Sequence, residues 1–233
     1  MGSTKQQKAY LLHRQDYRDT SNLLTVLTPD DGRVSLIAQG ARRPKTPLKA
    51  ILQAFQCCEL EWRESRSDLG LLLRADFIGP ATHLSGRALF AGFYVNELLV
   101  RLLSPGVSDP QFFEQYHQTV INLSDNSEPV LRLFEKNLLL HLGYGLDLWQ
   151  DKSGQDIDPQ ATYHYFFEQN FVRLVQSDDP QGLKIPGEAL CALREEKILP
   201  QHRMVLKMLF RQILQHYLGK KPIMSRQFWW AYD

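Results

Sequence analysis

What this chain lacks narrows its function before any motif is weighed. Nowhere do about 18 apolar residues run together, the length a membrane-spanning helix needs; Leu138-Leu139-Leu140 is soon broken by His141 and Gly143. The opening Met-Gly-Ser-Thr-Lys-Gln-Gln-Lys has no apolar signal core, so a cytoplasmic protein without membrane contact is expected. There are three cysteines, an odd number, and Cys57 and Cys58 are adjacent; this is no disulfide framework, and a reducing compartment fits. GxxxxGK[ST], HExxH, GxSxG and GxGxxG are all missing, which removes the phosphate-cradling loop and the common hydrolytic and dinucleotide-binding signatures. The cysteines read as small buried residues rather than nucleophiles, since nothing places a base beside them. Asp147, Asp151, Asp156 and Asp158 lack the spacing of a calcium loop and read as solvated charge. Neither an enzyme nor a metal or other cofactor is expected.

Acid is also missing locally. Between Arg33 and Cys58 stand Arg33, Arg42, Arg43, Lys45 and Lys49 without one Asp or Glu, in a chain whose net charge is only +1. Residues 1–80 hold 12 basic and 9 acidic side chains, residues 81–196 hold 8 and 16, and residues 197–233 hold 7 and 1. Charge sorted this way suggests a polyanion partner for the two basic segments. In the last segment Arg203, Lys207 and Arg211 recur every four residues, one face of a helix, followed by Lys220, Lys221 and Arg226. Like charges at that spacing repel, so a ligand such as phosphate would account for them; a plain solvated face is equally open. Tyr10, Tyr17, Phe55 and Trp62 have the faces to stack bases, although a core role is the better account of each.

The first 80 residues read as five short strands: Ala9–Arg14, Ser21–Thr28, Arg33–Gln39, Cys57–Arg63 and Leu71–Phe77. Pro29-Asp-Asp-Gly32 turns the second into the third. Five strands joined by turns predict a small barrel of the OB type. After Pro80 the apolar period lengthens to 3 and 4. Ser85 opens a helix with Leu89, Phe90, Phe93, Tyr94, Leu98 and Leu102; Asp109-Pro110 opens a second, and Pro129 a third that Gly143 ends. A hairpin lies within about 147–179, around Tyr163–Phe167 and Phe171–Val175. Helices follow over Gly187–Lys197 and Arg203–Leu218, with a short last turn at Ser225–Trp230. The class is therefore α+β: an OB-fold barrel over 1–80, then a mainly helical domain over 81–233 carrying a small inserted β-hairpin.

Asp31-Gly-Arg33 with Gln39-Gly-Ala-Arg42, then Tyr94-Val-Asn-Glu-Leu-Leu99, Arg132-Leu-Phe-Glu135 leading into His141-Leu-Gly-Tyr-Gly145, and Ser225-Arg-Gln-Phe228 follow one another in an order and spacing that resembles the RecO family of bacterial recombination mediators. The resemblance spans nearly the whole chain. It implies an N-terminal OB-fold, binding of single- and double-stranded DNA, and annealing of complementary strands. It further implies action with RecR to load RecA onto DNA covered by single-strand binding protein (SSB), in the cytoplasm at the nucleoid. An acidic, Phe-ended SSB tail is implied as a partner; Arg132 and Lys136, one helical turn apart, are the candidates to hold its carboxylate, unless Arg132 pairs with Glu128 or Glu135. Many family members carry a cysteine zinc knuckle after the Gly-Tyr-Gly motif. Residues 146–175 here contain no cysteine, so no zinc is expected. The rival reading is a protein-interaction adaptor that never touches nucleic acid, and a hydrolase or nuclease ranks behind it for want of the clustered carboxylates a metal site demands.

Overall fold

The computed structural model describes residues 2–65, 69–124, 126–167, 169–174 and 182–225. Its first strand explains the barrel. Strand β1 (Thr4–Tyr17) is long enough to serve two neighbours, pairing antiparallel with β4 (Cys57–Arg63) through residues 4–10 and with β2 (Ser21–Thr28) through residues 10–17. β2 and β3 (Gly32–Ala38) form the expected hairpin, closed where Thr28 Oγ1 donates to the Gly32 carbonyl (3.2 Å) and accepts from the Asp31 amide (3.3 Å). β5 (Leu69–Phe77) runs antiparallel to β4 and parallel to β3, so the barrel closes in the order β1-β2-β3-β5-β4. Inward positions supply Leu24, Val26, Leu36, Ala38, Leu60 and Trp62. The short helix α1 (Leu48–Ile51), which the Gly- and Pro-rich stretch before it concealed, lays Leu48 and Ile51 against this core.

Two helices complete the same compact unit, residues 1–125 with 223–233. The change of period at Pro80 thus marks a change of secondary structure, whereas the edge of the compact unit lies some 45 residues on. Ser85 precedes α2 (Gly86–Leu102) as expected, but makes no side-chain capping bond. The buried side of α2 is Ala88, Ala91, Tyr94, Val95, Asn96, Leu98 and Leu99, while Phe93, expected inside, is exposed. In α3 (Pro110–Asn122), Asp109 Oδ1 accepts from the Phe112 amide at 2.9 Å, the cap its sequence announces. β1 shifts register between Leu11 and His13, a bulge that takes carbonyls out of the ladder. Asn96, 2% exposed, answers it: Nδ2 donates to the Leu11 (3.4 Å) and Leu12 (3.1 Å) carbonyls, and Oδ1 accepts from the Tyr116 hydroxyl (2.7 Å).

The second unit, residues 126–222, holds α4 (Glu128–His141), β6 (Thr162–Phe166), β7 (Asn170–Arg173), β8 (Lys184–Pro186), α5 (Gly187–Arg194) and α6 (Pro200–Leu218). Leu131, Phe134 and Leu138 of α4 are buried, as are Leu206, Leu209, Phe210 and Ile213 of α6. The expected hairpin is β6–β7. It is part of a three-stranded sheet, order β7-β6-β8, because three residues ending in a proline supply a strand too short to alternate visibly. The last turn expected over Ser225–Trp230 lies, beyond Ser225, outside the described residues.

Candidate nucleic-acid interface

The acid-free segment becomes a connection pinned at its base and charged at its tip. Ala41 is buried, the Arg42 amide donates to the Thr20 carbonyl (3.0 Å), and the Arg43 amide donates to the Gly40 carbonyl (3.0 Å). The Arg42 guanidinium is partly used: it donates to the Arg18 carbonyl and pairs with Asp16, both at 3.1 Å. Arg43, Lys45 and Lys49 are exposed and have no acidic partner among the described residues. Beside them Arg14, Asp16, Asn22, Ala41, Arg42, Lys49 and Gln53 line a cleft of about 510 Å³. Arg14 escaped the sequence reading because one cation at the end of a short apolar run carries no signal; opposite Leu24 in the β1–β2 ladder, it reaches the same cleft. Cations held around an open cleft in high dielectric suit a mobile polyanion.

Arg33 does not join them. Its Nε donates to the Leu103 carbonyl at 2.9 Å and its own carbonyl accepts from the Gly106 amide at 3.3 Å, fastening the β2–β3 hairpin to the connection between α2 and α3. The aromatics divide as their burial dictates: Tyr10, Phe55 and Trp62 are core, and Tyr17 is half-buried with the Arg18 guanidinium 5.1 Å above its ring.

The α6 cations are partly spoken for. Arg203 donates to Asn126 Oδ1 and Lys207 pairs with Glu128, both at 2.9 Å, so the start of α4 relieves the repulsion built into the four-residue spacing. Arg211, Lys220 and Lys221 are exposed; Arg226 lies outside the described residues. On α4, Arg132 pairs with Glu135 at 2.9 Å in a buried setting, its guanidinium 5.9 Å from the Phe210 ring, and so is not an open cationic rim. Lys136 pairs with the more exposed Glu196 at 2.6 Å.

Burial pushes the Cys57 thiol up and that of Cys58 up to about 12, keeping both protonated and unreactive. The acidic loop is used for turns: Asp147 Oδ1 accepts from the Trp149 and Gln150 amides, Asp151 Oδ1 from the Ser153 and Gln155 amides, and Asp158 pairs with Arg173. Among the described residues no three His, Cys, Asp or Glu side chains are grouped to hold a metal ion.

Two distant sequence motifs meet in the first unit. Glu97, of the Tyr94–Leu99 stretch, accepts from the amides of Met224 (2.9 Å) and Ser225 (2.8 Å) and from Ser225 Oγ (2.7 Å). Burial works to raise this carboxyl, but these donors together with Arg101 outweigh it and hold the pKa below its ordinary value.

The family described as recombination protein O N terminal matches residues 1–81, and recombination protein O C terminal matches residues 83–227. Proteins named DNA repair protein RecO from Nitrosospira multiformis and Nitrosococcus oceani are 37% and 39% identical, over 95% and 94% of this chain and 93% and 90% of their own lengths. That of Hamiltonella defensa is 38% identical over 94% of both. With the closed five-stranded barrel and helical remainder already in place, these matches over nearly all of its length show that the chain belongs to the RecO family of DNA repair proteins.

Proposed function

We propose that this protein acts without covalent chemistry, binding single- and double-stranded DNA, annealing complementary strands and, with RecR, helping RecA load onto SSB-coated single strands. The observation that carries the reading is the cation group around the barrel cleft: Arg14, Arg42 and Lys49 line it, and Arg43 and Lys45 stand on the same connection. Each phosphate neutralised there releases counterions, and two strands screened by one protein repel each other less. Family membership supports DNA as the polyanion. For the SSB tail, Lys136 supports the contact better than Arg132, because exchanging half-exposed Glu196 for an incoming carboxylate leaves no buried charge alone.

The test is annealing of complementary strands precoated with SSB, without nucleotide. Acceleration that weakens with salt and with removal of the SSB tail is expected. Arg42→Glu with Arg43→Glu should weaken binding alike for all sequences and flatten the single-strand salt slope by about 1.4, at about 0.7 per phosphate contact; unchanged affinity would remove the loop from the mechanism. One observation favours the adaptor reading: an apolar groove of about 630 Å³ in the first unit, lined by Leu12, Phe90, Phe93, Val100 and Met224. Absence of DNA binding at every salt concentration would put that reading first.

A further inference from the structure

The second unit carries a row of aromatic rings that packing alone does not use up. Its geometry starts at the end of α4. Gly143 adopts φ +83°, a conformation that favours glycine, and reverses the chain. Its amide donates to the Leu140 carbonyl (3.0 Å) and the Tyr144 amide to the Leu139 carbonyl (2.8 Å), the paired bonds of a Schellman stop. Tyr144 is thereby carried off the helix end onto Tyr217 in the last turn of α6, rings stacked with centroids 4.2 Å apart. The row continues inward: Tyr217 meets His216 edge-on (5.2 Å), His216 stacks on Phe167 (4.2 Å), and Phe167 meets Tyr165 edge-on (5.3 Å). Tyr165 in turn contacts Phe171, which is fully buried.

The inner end is therefore anchored in the core, and burial pushes the Tyr165 phenol up to about 12. The outer end is open, with Tyr144 49% exposed and His216 also exposed. Lys220 and Lys221 follow Tyr217 by three and four residues, within about 15 Å along even a fully extended chain. From Lys197 to Ser225 there is no Asp or Glu. An aromatic face in water beside cations, with no acid in that stretch of chain, matches the chemistry of a single nucleic-acid strand: a π-face for a base and positive charge for its phosphates.

We propose that this row is a second DNA contact, in which an unpaired base stacks on the outer face of Tyr144 while Lys220 and Lys221 meet the neighbouring phosphates. The inference rests on the reading that the protein binds DNA, and adds to it a contact selective for single strands. A duplex keeps its bases stacked on one another and has none to offer. Because every base has a π-face, the contact is indifferent to sequence.

The experiment measures affinity and the number of strands bound per chain for a labelled oligothymidylate of about 15 nucleotides, and affinity for a duplex of equal length. The wild type is compared with Tyr144→Ala, Tyr144→Trp and the pair Arg42→Glu with Arg43→Glu, with urea midpoints to confirm folding. Tyr144→Ala should lower single-strand affinity at this contact about tenfold, the worth of one stacked base. It should leave the salt slope and the duplex affinity unchanged, while Tyr144→Trp retains binding. If Tyr144→Ala binds single strands as tightly as the wild type while the Arg42/Arg43 variant loses binding, the second contact is overturned and the DNA reading stands. An equal loss on duplex overturns base stacking. A wild type that binds neither form sinks both.

Discussion

At the scale of single residues, the family resemblance and the physics assign Arg132 different work. A guanidinium 4% exposed, paired with a fully buried carboxylate, is held by the cost of leaving either charge alone in low dielectric. Arg132→Ala should therefore destabilise the second unit by about 3–5 kcal/mol, whereas Arg132→Met with Glu135→Leu should come out near neutral. Urea unfolding measures both, and a single variant as stable as the wild type would contradict the buried-pair account. Any loss of SSB-tail binding in Arg132→Ala has to be read beside that stability change; Lys136→Ala, more exposed, gives the cleaner comparison. The pairing of Arg132 with Glu135 was open to the sequence reading because the two are three residues apart. That of Lys207 with Glu128 was not: their partnership spans 79 residues and depends on α4 lying against α6.

Among the elements, what was legible is what repeats. Alternation marked Cys57–Arg63, and short β-prone runs set off by turn residues marked the other barrel strands. Apolar 3-and-4 spacing marked α2 and α4, cations every four residues marked α6, and Asp109-Pro110 marked the start of α3. What did not repeat was missed: α1 and β8 are too short to show a period, and the β1 bulge with its Asn96 partner is a hydrogen-bonding need with no pattern. The inclusion of Phe93 in the buried stripe of α2 failed for a related reason, because the side that packs is chosen by small residues as well as large ones. Gly92 is the clearest. A Cβ there would stand 2.7 Å from Phe55 Cε1 and 2.9 Å from Leu84 Cδ1, so α2 rests on Phe55 through a missing side chain. Gly92→Ala should thus lower stability by about 1–3 kcal/mol through overpacking, although alanine is the better helix former by about 1 kcal/mol. Thermal unfolding decides which effect wins, and a gain in stability would show that Phe55 can move aside.

For the molecule as a whole, the candidate DNA surface was legible as a run of cations without acids. Its division into used and unused charge was not, since that depends on which partners the fold brings close. A feature joining distant parts of the chain and carrying a pH signature is the Glu97 tether. Its carboxyl is held below the ordinary value, so the stability it adds is complete above the unfolded carboxylate pKa of about 4.3 and is lost as pH falls through the lower folded-state value. The protection factors of the Met224 and Ser225 amides, which are corrected for the intrinsic pH dependence of exchange, should therefore fall below about pH 4 and stay flat between about 5 and 8, and Glu97→Gln should abolish that step. The same tether orders events during synthesis. Glu97 leaves the ribosome more than a hundred residues before Ser225, and the whole second unit is made in between. Until translation reaches Ser225 a half-built chain carries that carboxylate without three of its donors, so the first unit is completed only after the second has been made.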